Sequence, residues 1–408
     1  MFDAARSGAW LTRDRLRVYP LLLGLGLGGA LITLIATRSG LLDHWGRPLG
    51  TDFSQFWVAG FEVAAGHPAQ PYDNTAHAAA QAALFGQTDG FYSWPYPPYF
   101  LGLAALFATL PYLAALALWQ TSTLALYLAA IWHAAPIRRL GRTAVVSIAL
   151  VYPAVTVNLV HGQNGFLTAA LLGAGALLVP KRPVIAGVLL GLLAYKPQFA
   201  LAVPVALLAG GYFRTVFAAA LTVAAATLAA LAAFGSEPWH AFFASLEFTR
   251  HAVLEQGGPG FGKTQSAFAA VRLLGGSVSL AYAIQGAVTV SVLVALAWLW
   301  RGERDHRLKA AGLIVASLLS TPYCLDYDLT VLGPAIALLV SYGIVRGFPP
   351  YGKTLLAVIW ALPLFARPLA AGLGVPTGAA LMLILFGGLI WVARNESCAC
   401  LLPKNHAN

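Results

Sequence analysis

Apolar residues run in long stretches along this chain, separated by short clusters of Arg, Lys, Gly and Pro. Runs of that length predict membrane spans rather than the one-faced stripes of a soluble core. The first, near Tyr19 to Thr37, is too long for a signal-peptide core and lacks a convincing small-residue cleavage site, so it reads as a retained helix. Further runs occupy 112–134, 143–160, 215–234, 278–300, 309–323, 329–345, 354–371 and 377–393. Shorter ones lie at 99–110, 165–179, 184–195 and 198–211. Pro111 separates 99–110 from the run that follows it and makes it a half-helix. Pro197 disfavours helical geometry at Lys196 and predicts a break there. An unbroken span with Lys196 near its centre would cost roughly 2.5 to 3.5 kcal/mol.

These runs predict an all-α, polytopic membrane protein of about twelve transmembrane helices, a single integral membrane domain over 1–408. No soluble domain and no internal repeat is evident. The loop 39–97 carries two amphipathic stretches, roughly 53–66 and 73–86, too polar to span and expected in the membrane interface. A second long loop covers 235–276, and 395–408 reads as a polar tail.

Composition agrees: 59% of residues are hydrophobic and 10% charged, with mean hydropathy +0.73, whereas about a quarter of a soluble protein is charged. The net charge of +10 does not imply nucleic acid, because the cations sort by membrane side. Arg6, Arg13, Arg15 and Arg17 precede the first run, and Arg138, Arg139, Arg142, Lys181, Arg182, Arg301, Arg304, Arg307, Lys309, Arg346, Lys353 and Arg394 continue the pattern. The positive-inside rule then puts both termini in the cytoplasm of a cell inner (plasma) membrane protein. Cys324, Cys398 and Cys400 are too few and scattered for a disulfide framework or a zinc site, and Cys398 and Cys400 read as free thiols. His44, His67 and His77 are dispersed and read as surface residues, so neither metal nor cofactor is expected.

On that topology one set of polar motifs converges on the outer face, toward periplasm or cell exterior. It comprises Asp52, Tyr96-Pro-Pro98, His161-Gly-Gln163-Asn164, Lys196-Pro-Gln198 and the segment containing Tyr323, Asp326, Tyr327 and Asp328. Polar groups within membrane segments mark a substrate path. Structural alternatives stand beside each. Asp52, Gln163 and Asn164 are residue types found at helix ends, with Asp and Asn preferred as N-caps, Trp94 and Tyr96 suit interfacial anchoring, and Lys196 has the reach to snorkel to headgroups. Gly257 to Thr264 matches the phosphate-loop pattern letter for letter. The preceding stretch reads as a helix and the loop as external, so no nucleotide is expected. Lys196 is the first choice to meet a lipid phosphate, with Lys263 or Arg250 the candidate if it does not.

Asp52 after the first helix, Tyr96-Pro-Pro98, Gly162-Gln163-Asn164, Lys196-Pro-Gln198 and Pro322-Tyr323 through Asp328, in that order over about residues 18–394, resemble glycosyltransferase family 87. The resemblance implies a GT-C fold and transfer of a sugar, mannose foremost, from a polyprenyl-phosphate donor to a lipid-linked or glycan acceptor. Asp52 matches the family's first-loop catalytic aspartate. The chain departs from the phosphatidylinositol-mannoside mannosyltransferase branch, where a late histidine accompanies that aspartate. Here Tyr323, Asp326, Tyr327 and Asp328 stand in that neighbourhood. A lipid or small-solute transporter is the alternative from another class, although transporters often show paired repeats. A structural assembly protein is a third.

The topology has a direct check. Single cysteines placed at Gly90, Gln163 and Gly260 should react with an impermeant thiol reagent from outside, and those at Leu140 and Asp305 only from inside. Inverted labelling at Gln163 would remove it from the face that carries Asp52.

Overall fold

The computed structural model describes residues 2–86 and 90–399, with no strand among them and three isolated backbone bridges in the loops. Among the described residues seven helices are long and apolar enough to cross a membrane: Arg13–Ala36, Tyr112–Ala134, Phe213–Phe234, Val278–Arg301, Asp326–Arg346, Gly352–Leu373 and Thr377–Glu396. The pair Arg142–Leu150 and Pro153–His161 bends by 50° at its break and makes eight if counted as one span. Pro153 accounts for the bend, since proline lacks the N–H that would continue the helix and its ring crowds the turn before it.

Most of the remaining expected spans are the shorter apolar helices Pro98–Ala108, Gly165–Leu178, Pro183–Tyr195 and Pro197–Ala209. The 14 residues of Gly165–Leu178 reach only about 21 Å at 1.5 Å per residue, short of a hydrocarbon layer of about 30 Å. The break expected at Lys196 is present, as a 3₁₀ turn at Leu193–Tyr195 followed by Lys196 at φ −119° and ψ 75°.

His306–Leu319 carries only Ser317 as a polar side chain from Ala310 onward and is buried at every position from Leu308 to Leu319, Lys309 included, as a helix apolar on nearly every side must be. Gly165–Leu178, Ala202–Ala209, Val278–Arg301, Leu332–Arg346 and Thr377–Ala399 pack around it and form the larger core. Arg13–Ala36 is the opposite case: it buries only Leu34 and leaves its apolar surface outward, where lipid would cover it. Cys324 is a buried free thiol. Cys400 and the rest of the expected tail, and the Cys398 side chain, lie outside what is described, and Thr377–Ala399 extends helix beyond the expected boundary at 395.

The first amphipathic stretch packs its aromatic face against protein. It forms Thr51–Ala64 and buries Phe53, Ser54, Gln55, Phe56, Val58, Ala59 and Glu62. Phe56 packs against Trp94, Phe100 and Trp119, with ring centroids 6.0, 5.5 and 5.0 Å away. Gly60 permits close contact with Leu101–Ala108, because a Cβ there would collide with the Ala104 carbonyl oxygen. Aromatic rings that suit a headgroup layer thus build a second core. Trp94 and Tyr96, read as interfacial anchors, lie within it at 2% and 5% exposure. His77 is also not a surface residue. It is buried on Asn74–Phe85, and its Nδ1 lies 2.8 Å from Glu62 Oε2, tying that helix to Thr51–Ala64. His44 and His67 are exposed, as expected.

Two glycines bring the elements of the site together. Gly50 precedes Thr51–Ala64 with φ 69°, and Gly162 ends Pro153–His161 with φ 64°, both left-handed conformations that glycine adopts without steric cost. They also approach each other. A Cβ on Gly162 would stand 2.6 Å from Phe53 Cβ and 3.1 Å from Gly50 Cα. Gly162→Ala should therefore lower the thermal unfolding midpoint and abolish turnover, since the left-handed backbone alone costs roughly 1 to 2 kcal/mol and Phe53 must also move. Unchanged melting and turnover would show that this close approach is dispensable.

Candidate active site

Asp52 lies in the first turn of Thr51–Ala64, but Gly50 occupies the N-cap and no side chain caps the helix. Capping is therefore not what the Asp52 carboxylate does. Its Oδ2 accepts a hydrogen bond from Gln163 Nε2 at 3.2 Å. Gln163 sits in the link between Pro153–His161 and Gly165–Leu178. Its Oε1 accepts from the Asn164 main-chain N–H at 2.8 Å and from the Tyr96 hydroxyl at 3.3 Å. Asn164 Nδ2 donates to the same Tyr96 hydroxyl at 2.7 Å. Burial, with the Asp52 charge adding to it, pushes the Tyr96 phenol well above its ordinary pKa and keeps it protonated.

Asn158, which the sequence reading did not single out, performs the capping considered for its neighbours. Its Oδ1 accepts from Gly165 N, and its Nδ2 donates to the Gln163 carbonyl, both at 2.9 Å. The available signal was an asparagine inside an apolar run. His161 stands on the other side of Gly162, its Nδ1 2.9 Å from Thr51 Oγ1 and its ring 6.1 Å from that of Tyr327.

Lys196 neither snorkels nor stands free. It is 4% exposed, and its Nζ donates to Asp328 Oδ1 at 2.7 Å. Asp328 Oδ2 accepts from Leu325 N at 2.9 Å. Asp326 is also engaged, by Tyr327 N at 2.9 Å and by Arg367 at 3.1 Å. Arg367, another residue not singled out from sequence, sits within Gly352–Leu373 and is 49% exposed. An arginine inside an apolar run is again the signal that marks it.

Lys263 Nζ lies 5.5 Å over the Tyr327 ring, which Lys196 Nζ also approaches at 5.2 Å. Among the described residues Lys263 makes no ion pair. Its loop does not form a phosphate cradle, which needs free N–H groups at a helix start. The N–H groups of Gly260, Lys263 and Thr264 are used by the carbonyls of Gly257, Gly260 and Phe261, and the preceding turns at Thr249–Glu255 are a π-helix. The loop is pinned to the site by the Thr264–Leu325 bridge and by Gln265 N donating to the Cys324 carbonyl at 2.6 Å.

Three expected site residues stand apart from this network. Gln198 is half-buried and makes no side-chain hydrogen bond among the described residues. Arg250 is paired with Glu255 at 2.8 Å, and Glu255 also accepts from Tyr282. Tyr323 lines a cavity of about 10 Å³ with Phe261, Thr264 and Leu325, room for a single water. Burial pushes its phenol up to about 12.

The network joins Asp52, Tyr96, His161, Gln163, Asn164, Lys196, Lys263, Asp326, Tyr327 and Asp328 at one place. The family model described as glycosyltransferase family 87 matches residues 94–322, more than half of the chain. The chain belongs to glycosyltransferase family 87. It is thus a membrane glycosyltransferase with several apolar helices, and the transporter and assembly readings fall away. The matched segment includes Tyr96, Gln163, Asn164, Lys196 and Lys263, while Asp52 precedes it and Asp326, Asp328 and Arg367 follow. No curated protein and no solved structure matches the chain.

The buried Lys196–Asp328 pair makes a stability prediction. Removing one partner strands a charge at a cost of about 3 to 5 kcal/mol, whereas removing both does not. Lys196→Met should therefore give little monodisperse protein, and Lys196→Met with Asp328→Asn should recover yield and melting temperature. A stable Lys196→Met single variant would show that the pair does not hold the two segments together.

Proposed function

We propose that this glycosyltransferase moves a sugar, mannose foremost, from a polyprenyl-phosphate donor to a lipid-linked or glycan acceptor on the outer face of the membrane, in a GT-C-type site. The observation that carries the reading is the state of the carboxylates. Asp328 is neutralised by Lys196 and Asp326 by Arg367, which leaves Asp52, held by a neutral amide, as the base.

An acceptor hydroxyl is a weak nucleophile until its proton can leave. As its oxygen bonds to the anomeric carbon, the proton passes to Asp52, and the bond from that carbon to the phosphate oxygen breaks. The electron pair departs with the phosphate, releasing polyprenyl phosphate. A positioned base contributes about 10² to 10⁴ in rate, or roughly 3 to 5 kcal/mol of barrier. The leaving phosphate is stable as an anion and needs no general acid. It benefits from fixed positive charge, and Lys263 supplies it, because Lys196 is committed to Asp328 and Arg367 to Asp326. With no second free carboxylate at the site among the described residues to act as nucleophile, displacement is direct and the anomeric centre inverts.

Asp52→Asn keeps size and a hydrogen-bonding oxygen but cannot take the proton. With radiolabelled polyprenyl-phosphate mannose and a glycolipid extract as acceptor, its turnover should fall about a hundredfold or more while donor binding persists. Lys263→Ala should instead weaken donor binding. A monodisperse Asp52→Asn protein that transfers sugar at a near wild-type rate would eliminate the mechanism.

A further inference from the structure

We infer that Gln163 is a positioning residue, orienting the Asp52 carboxylate for the acceptor proton rather than binding substrate; this rests on the reading of Asp52 as the base. The orientation of the Gln163 amide is determined by its surroundings. A main-chain N–H can only donate, so the atom 2.8 Å from Asn164 N is the amide oxygen. The Tyr96 hydroxyl reinforces the assignment. It accepts from Asn164 Nδ2 at 2.7 Å, which turns its proton toward Gln163 Oε1 at 3.3 Å. The nitrogen end of the amide is then the end that faces Asp52 Oδ2.

Gln163 is 5% exposed, and its oxygen already holds two donors, so that atom has no capacity left for a sugar hydroxyl. Its main chain is fastened as well, through the Asn158 bond to the Gln163 carbonyl. The consequence falls on Asp52. Oδ2 is occupied, while Oδ1 has no hydrogen-bond partner among the described residues and is the atom left to take the proton. A neutral amide orients the carboxylate without the loss of basicity that a cation at the same place would bring.

Steady-state kinetics of the purified full chain separate the roles, with polyprenyl-phosphate mannose as donor and a glycolipid extract as acceptor. Gln163→Ala should lower kcat about tenfold or more and leave the donor KM within about twofold, the pattern of an interaction that matters only in the transition state. Loss of a donor to the charged carboxylate makes it easier to protonate, so the acid limb of the kcat–pH profile should move to higher pH. Gln163→Glu, which sets a second acid beside Asp52, should move it further. Tyr96→Phe removes one hydroxyl, tests the same chain without touching Gln163, and should shift the profile in the same direction by less.

In an Asp52→Asn background, Gln163→Ala should cost nothing more, because its effect runs through Asp52. A raised KM with kcat and the pH profile unmoved, or a further loss in the Asp52→Asn background, would make Gln163 a substrate ligand and overturn the inference alone. Near-normal turnover in the Asp52→Asn single variant would overturn the base assignment and this inference with it.

Discussion

The close approach of two left-handed glycine turns is the constraint on which the site depends. Gly50 starts the helix that carries Asp52, and Gly162 ends the helix that leads to Gln163. With a side chain at Gly162, Phe53 and Gly50 could not remain where they are. The contact places the start of one helix against the end of another, and a short glutamine side chain then spans the gap to the aspartate. The aromatic core beneath Thr51–Ala64 supplies the stiffness. Phe53 and Phe56 are wedged among Tyr112, Trp119, Trp94 and Phe100, so the first turn has a firm base. Positioned groups on packed helices hold their geometry better than groups on loops.

Charge compensation shapes the remainder. Buried charge persists in an apolar setting only when paired and hydrogen-bonded. Lys196 and Asp328 meet that condition by joining a broken helix to the start of Asp326–Arg346. Lys196 stands at the break before Pro197, so the pair fastens the interrupted helix to the segment that starts at Asp326. Asp326 and Arg367 meet the condition at the exposed edge. Asp52 is treated differently, with an amide for a partner. On the proposed reading, this difference among three acids is what separates the base from the structural ions.

Much of this was legible in the chain itself. Long apolar runs and proline breaks follow from local rules, and the topology they give brings Asp52, Tyr96, His161, Gln163, Asn164, Lys196 and the 326–328 segment together, although Gln198 and Tyr323, expected with them, stand apart. What was not legible is tertiary in origin. An amphipathic aromatic helix reads the same whether its rings face headgroups or other rings, so the burial of Thr51–Ala64, Trp94 and Tyr96 could not be read off. A lysine at a helix break reads as a free cation until its partner, 132 residues away, is in place. His77 likewise looked like a surface residue because its partner Glu62 lies 15 residues earlier, on a different helix. Arg367 and Asn158 each carried a signal, as polar residues in apolar runs, but in a helix-rich chain that signal alone does not say which site they serve.

A single oriented carboxylate, with no second free one at the site among the described residues, is the core of this account, and the stereochemistry of one turnover tests it most directly. Purified protein would be given a polyprenyl-phosphate mannose of known anomeric configuration, and the linkage in the product read by proton NMR. The account predicts the opposite configuration, as direct displacement with Asp52 as base requires. A product that retains the donor configuration would contradict it, because two successive displacements need a nucleophile besides the base, and among the described residues the site has one free carboxylate.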